Sequence, residues 1–139
     1  MKLIIGGQGK MGSLLKETAQ NLGHTVLANV DTSNLDVLDT LESADMIVDF
    51  SHRDNLNWII DYVNAHDCAL VYGTTGLDAD QKAQLVTLSK THPVFFSANY
   101  SYGVAVFTEI MKVAVPMLKD SFDMELVETH HNQKADAPS

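Results

Sequence analysis

The sequence predicts an α/β protein built on a doubly wound parallel sheet, and three observations carry that prediction. Short apolar runs alternate with segments of helical periodicity along the whole chain. The first run, Leu3-Ile4-Ile5, opens directly into Gly7, Gly9 and Gly12 at G-x-G-x-x-G spacing. An acidic residue, Asp31, stands nineteen positions after Gly12, at the end of the second apolar run.

Leu3 to Ile5 reads as a buried strand, apolar on both faces. In the turn that follows, Gly7 permits a tight bend and Gly9 lets the main chain approach a pyrophosphate with no β-carbon in the way. Gly12 allows the next helix close to the strand. The helix start offers its free N–H groups and positive dipole end to phosphates. A glycine turn can also stand without a ligand, but its place between strand and helix favours a dinucleotide site. From Lys10 to Leu22, the residues Met11, Leu14, Leu15, Ala19 and Leu22 share one helical face, and Gly23 supplies a left-handed stop. Thr25 to Val30 is the second strand, and Asp31 at its end is suited to accept hydrogen bonds from an adenosine ribose. Thr32 and Ser33 bring no arginine for a 2′-phosphate, and Lys10 is the nearest cation by sequence. NADH is therefore expected to serve at least as well as NADPH.

Leu35, Leu38 and Leu41 mark a short helix or turn, and residues 45–50 form a third strand. After the polar loop Ser51-His52-Arg53-Asp54 comes a helix with Leu56, Ile59, Ile60 and Val63 inward and Trp58 at its edge. Ala69 to Tyr72 is the fourth strand, and it ends in Gly73-Thr74-Thr75-Gly76 at the edge where open α/β sheets bind ligands. Asp78 and Gln81 resemble a capping box for a helix running to about Thr91, before Pro93. Val94 to Phe96 is the fifth strand. A long helix then carries Val104, Phe107, Ile110, Met111, Ala114 and Leu118, with Pro116 expected to kink its last turns. Met124 to Thr129 reads as a sixth strand.

Composition narrows the functional classes. A chain of 139 residues, 45% of them apolar, can bury a proper core. No apolar run approaches bilayer length and the N-terminus enters strand and turn directly, so a cytoplasmic protein with no membrane partner is expected. A net charge of −9 opposes nucleic acid, and an anionic ligand must be met by local donors. The single cysteine, Cys68, has apolar neighbours and reads as a small core residue. A shift toward acidic and polar residues near Asp120 suggests a dinucleotide-binding domain over 1–123 and the start of a second domain over 124–139.

Titratable donors crowd together in one place, His130, His131 and Lys134. Adjacent histidines in a polar tail are often solvated. In so acidic a chain, however, three potential cations within five residues form a local site for carboxylates. Histidine titrates near neutrality, so one ring can move a proton while its neighbour and the lysine hold substrate. Spacing does not assign the two rings.

Five stretches together resemble the 4-hydroxy-tetrahydrodipicolinate (dihydrodipicolinate) reductase family, in the family's order and over the whole chain. They are Gly6 to Gly12, Asp49-Phe50-Ser51, Gly73 to Gly76, Ala98 to Val104 and, most specifically, the His130-His131-x-x-Lys134-x-Asp136-Ala137-Pro138-Ser139 block. The resemblance implies a Rossmann-like fold and reduction of the unsaturated heterocycle by NADH, NADPH or both, on the route to diaminopimelate and lysine. It implies that Gly6, Gly7, Gln8, Gly9, Lys10 and Met11 bind the pyrophosphate and Asp31 the adenosine ribose. Gly73, Thr74 and Thr75 would lie along the nicotinamide, with Ala98, Asn99, Tyr100 and Ser101 closing over it. His130 would be the proton donor and acceptor, and His131 and Lys134 would grip the small dicarboxylate, Lys134 also donating a proton. No metal is implied.

Two departures matter. The family continues past Pro-Ser with a Gly-Thr pair and a largely β domain that builds a homotetramer, whereas this chain stops at Ser139. The segment from Asp31 to Asp45 is also shorter than in many relatives. The 139-residue chain is therefore expected to be truncated within an α+β substrate and tetramerisation domain, to bind a nicotinamide nucleotide and to reduce substrate poorly or not at all. The alternatives are a dehydrogenase of another small amino or imino acid and a non-catalytic nucleotide-binding module.

Overall fold

In the computed structural model, which describes residues 1–129, five strands form one sheet: β1 (Lys2–Gly6), β2 (Thr25–Val30), β3 (Met46–Asp49), β4 (Ala69–Tyr72) and β5 (Val94–Phe96). Every pairing is parallel and the spatial order is β2-β1-β3-β4-β5. The chain steps from β1 outward to β2, returns past β1 to β3, and continues to β5. The direction of winding therefore reverses between β1 and β3, the switch point at which such sheets hold ligands.

The crossovers divide between the two faces. Along β1, Leu3 and Ile5 point one way and Ile4 the other, as successive strand side chains must. Leu3 and Ile5 cluster with Ala19 of α1 (Lys10–Asn21). Ile4, Ile47 and Leu70 join Leu56, Ile59 and Val63 of α2 (Leu56–His66) and Leu85 and Leu88 of α3 (Ala79–Leu88) in the larger core. A 3-10 helix, Leu35–Thr40, carries the chain from β2 back to β3. This is the doubly wound α/β arrangement expected from the alternation of patterns.

Several local expectations need correction. Met11, Leu14 and Leu22 do not share the buried face of α1; all three are exposed, and the line against the sheet is Gly12, Leu15 and Ala19. Two of those three residues are small, so the helix lies close to the sheet. Met11 and Leu14 sit about 70° and about 130° round the helix from the middle of that line. Trp58 is buried rather than at the edge of its helix, and Tyr62 is buried as well, because each polar tip finds a partner. The indole N–H donates to Asn55 Oδ1 at 2.9 Å, and the Tyr62 hydroxyl accepts from the Ala44 amide at 3.0 Å. Cys68 is buried as expected, and burial pushes its thiol up to about 11. The Asp78–Gln81 capping box forms, while α3 ends at Leu88, where turn bonds from Thr91 and His92 to the Leu88 carbonyl replace further helix.

The chain divides into two compact units, Met1–Ser97 and Ala98–Ser139. The second holds α4 (Tyr102–Leu118), started by Ser101 Oγ accepting from the Val104 amide and continuing through Pro116. The apolar positions Val104, Phe107, Ile110 and Leu118 of α4 are exposed. A helical stripe is buried only against a second layer, and α4 is the one regular element among the described residues of this unit. Residues 124–129 form no strand, contrary to their apolar, β-branched pattern. A strand exists through its ladder, and among the described residues none pairs with them.

Candidate functional site

The sheet register sets every candidate loop of the first unit at one level. Gly6 pairs with Val30 on one side and Asp49 on the other, Asp49 pairs with Tyr72, and Tyr72 with Phe96. The strands thus end in one row. The turn at 7–12, the Asp31 loop, residues 50–55 and the Gly73 loop all leave the carboxyl edge together.

Above the β1–β3 switch point lies a cleft of about 700 Å³. One wall is Gly7, Gln8, Gly9, Lys10, Met11 and Gly12; the others are Asp31, Thr32 and Ser33, and the loop from Phe50 to Asn55. Gly7 has φ +89°, and a β-carbon there would meet Ser51 Cβ at 2.6 Å. Its amide donates to the Val30 carbonyl at 2.7 Å, which ties the turn to the end of β2. The Asn29 side-chain amide donates to the carbonyls of both Gly7 and Gly12 at 3.1 Å, holding the turn and the first coil of α1 as one piece.

The start of α1 is shaped for an anion. Gly9 at the N-cap brings no side-chain cap and no acidic residue stands in the first turn. The first helical amides have no partner within the helix, and they lie on the cleft wall beside Lys10. A β-carbon on Gly9 would meet nothing within 4 Å, so the backbone there is open to the cleft.

Across from the turn, Asp31 Oδ1 accepts from the Ser33 hydroxyl at 2.6 Å and the Ser33 amide at 2.8 Å. Those two bonds hold the carboxyl below its ordinary value of 3.8. The Gln8 side chain donates to Ser33 Oγ at 3.4 Å, which links the glycine turn to the acidic loop. Uncapped amides with a lysine, and a fixed carboxylate on the opposite wall, match the phosphates and the ribose diol of a dinucleotide respectively.

Beneath the turn lies a buried carboxylate. Asp49, wholly inaccessible, accepts from Ser51 Oγ on Oδ1 and from Thr74 Oγ1 on Oδ2, each at 2.5 Å. Thr74 Oγ1 in turn accepts from the Ser51 amide at 2.7 Å. Asn55 donates to Ser51 Oγ at 2.7 Å, and its Oδ1 receives the Thr32 amide at 3.1 Å. Burial pushes the Asp49 carboxyl above 3.8, against the pull of the hydroxyl bonds.

The sequence-derived residues are thus distributed unevenly. Gly7, Gln8, Gly9, Lys10, Met11 and Asp31 come together in the cleft. Gly6 is buried under the turn, where its missing β-carbon makes room for Asp49. Gly73 lies under the Phe50 ring, Thr74 is buried in the Asp49 network, and Thr75 is exposed on the same loop. Ala98, Asn99, Tyr100 and Ser101 belong to the second unit, in the turn before α4, where Asn99 Oδ1 accepts from the Ser101 amide at 2.7 Å. His130, His131 and Lys134 lie outside the described residues. The periodicity of the sequence carried no sign of Asn29, Asn55 or the Asp49–Thr74 bond, which joins residues 25 positions apart.

Comparison with known proteins decides the family. The model of the dihydrodipicolinate reductase N-terminus matches residues 1–100, and that of the C-terminus residues 103–139. The chain belongs to the dihydrodipicolinate reductase family. Among the similar proteins is the 4-hydroxy-tetrahydrodipicolinate reductase of Brachyspira hyodysenteriae, 38% identical over 141 residues that take in 100% of this chain and 58% of the relative. The enzymes of that name from Staphylococcus epidermidis and Clostridium novyi are 37% and 34% identical, with 100% and 99% of this chain and 60% and 59% of theirs covered. The chain therefore spans less than two thirds of the length of these curated relatives. Membership of this reductase family implies a nicotinamide cofactor, and the cleft of the first unit has the donors to hold one.

Proposed function

We propose that the chain binds NADH or NADPH across the carboxyl edge of its sheet, as part of an enzyme that reduces 4-hydroxy-tetrahydrodipicolinate to tetrahydrodipicolinate in diaminopimelate and lysine biosynthesis. The observation that carries this reading is the uncapped start of α1 facing Asp31 across one cleft. When bound, the cofactor supplies hydride to the substrate ring. The amides from Gly7 to Met11, aided by Lys10, hold the pyrophosphate. Asp31, kept ionised and oriented by Ser33, takes the ribose diol. A fixed anion at that point repels a 2′-phosphate, which supports NADH serving at least as well as NADPH.

In this reading the Gly73 to Thr75 loop lies along the nicotinamide, and the family resemblance assigns Ala98 to Ser101 the part of closing over it. His130 gives and takes the proton, and His131 and Lys134 grip the dicarboxylate, with Lys134 a second proton donor. Placing cations beside the reacting ring supplies orientation and local positive charge that the chain as a whole, at net −9, lacks. The family resemblance supports a cytoplasmic homotetramer for the full-length enzyme, and the charge argues against nucleic acid. Among the described residues, no helix is long and apolar enough to cross a membrane.

Calorimetric titration of the full-length enzyme tests the reading in two steps, NADH first and then pyridine-2,6-dicarboxylate as a substrate analogue. Binding of NADH followed by binding of the analogue supports it. NADH bound with the analogue ignored indicates a nucleotide-binding module, and no NADH binding refutes the reading altogether.

A further inference from the structure

Two loops that the proposed function assigns to opposite halves of the cofactor meet on one buried side chain. Asp49 Oδ1 lies so close beneath Gly6 that a β-carbon there would stand 2.0 Å from it, and Ser51 fills the space beneath Gly7. Asp49 Oδ2 holds the hydroxyl of Thr74, on the loop after β4. Both oxygens are bonded to hydroxyl donors, and the Ser51 amide closes the ring through Thr74 Oγ1. The adenosine side belongs to β1 and β2, where Asp31 stands; the other half of a dinucleotide spanning the switch point extends over β3 and β4.

We propose that Asp49 is a positioning residue that fixes the glycine turn against the Gly73–Thr75 loop, so that one rigid frame receives both ends of the dinucleotide. The proposal rests on the nucleotide-binding reading above. A carboxylate suits this task because each of its two oxygens accepts a hydroxyl bond, whereas an amide presents one oxygen and, at the other position, an N–H donor. Support of this kind sets the geometry of groups that touch ligand without touching ligand itself. Asn55 extends the frame to the adenosine side, where it receives the Thr32 amide.

The test compares NADH with ADP, which lacks the nicotinamide half, on the wild-type chain, Asp49→Asn and Thr74→Val. The valine variant removes one hydroxyl donor at nearly constant volume and carries the test if the asparagine variant does not fold. Melting temperature is recorded alongside. Each folded variant is expected to lose about tenfold in NADH affinity and less than about threefold in ADP affinity. Equal losses for the two nucleotides, or none for NADH, would overturn the proposal. Failure of the wild-type chain to bind either nucleotide would refute the reading of the cleft instead.

Discussion

Gly12 faces the carbonyl oxygen of Gly7 so closely that a β-carbon built on Gly12 would lie 2.0 Å from it. The close approach brings the first coil of α1 onto the glycine turn, and the Asn29 amide clasps the two carbonyls together. Gly9, three residues earlier in the same motif, has open space where its β-carbon would go. The two glycines therefore do different work, one for packing and one for access.

Gly12→Ala forces the turn and the helix apart. It is expected to lower stability by about 1–3 kcal/mol, the usual cost of overpacking, and to reduce NADH affinity together with it. Gly9→Ala is expected to leave stability within about 0.5 kcal/mol while reducing NADH affinity at least about tenfold. Thermal unfolding and calorimetry on the two variants check the contrast; matching losses of stability would remove the distinction.

The two buried or bonded aspartates should titrate on opposite sides of 3.8. Asp31, held down by Ser33, contributes stability that is present above 3.8 and lost as pH falls through its lowered value. Asp49, pushed up by burial, keeps its proton in the folded state after the unfolded chain has lost it, so its contribution falls as pH rises from 3.8 through its raised value. Carboxyl carbon chemical shifts followed by pH titration report both directions. Asp31→Asn should remove the low-pH transition, and Ser33→Ala should move the Asp31 midpoint upward.

Asp78→Ala breaks the capping box at the start of α3 without touching the cleft. An unfolding free energy lower by about 1 kcal/mol is expected, with NADH affinity unchanged. Loss of NADH affinity in this variant would show that the start of α3, where the Gln81 side chain donates to the Arg53 carbonyl at 3.4 Å, helps to hold the loop that walls the cleft.

In the terminal cluster, His130→Ala should lower turnover of the family substrate far more than NADH affinity, and Lys134→Ala should impair substrate capture as well. Absorbance at the nicotinamide band measures both. Normal kinetics in both variants of the full-length enzyme would reject the assignment of the cluster.

Much of this architecture was legible because local rules agree with one another. The β1 run is apolar at consecutive positions and so had to be a strand buried on both faces, and G-x-G-x-x-G directly after it named the turn. The 78–81 spacing marks where α3 starts, and the nineteen-residue spacing from Gly12 marks Asp31. What stayed hidden depends on contacts through space. Nothing about residue 49 or residue 74 alone announces that their side chains meet, or that Asn29 reaches back to two carbonyls. Trp58 lay off the apolar stripe of α2, yet it is buried because Asn55 satisfies its indole N–H. Residues 124–129 show the converse, a strand-like pattern without a ladder, since alternation records what a strand buries and not whether a neighbour is there to pair with it.

Amide proton–nitrogen spectra of the isotope-labelled chain, recorded as NADH is added, bear most directly on the central claim. The largest shifts are predicted at Lys10, Met11 and Gly12, with Gly7 to Gly9 and Asp31 to Ser33 moving alongside. Unchanged amides in the 7–12 turn, or shifts concentrated instead along α2 and α3, would contradict it.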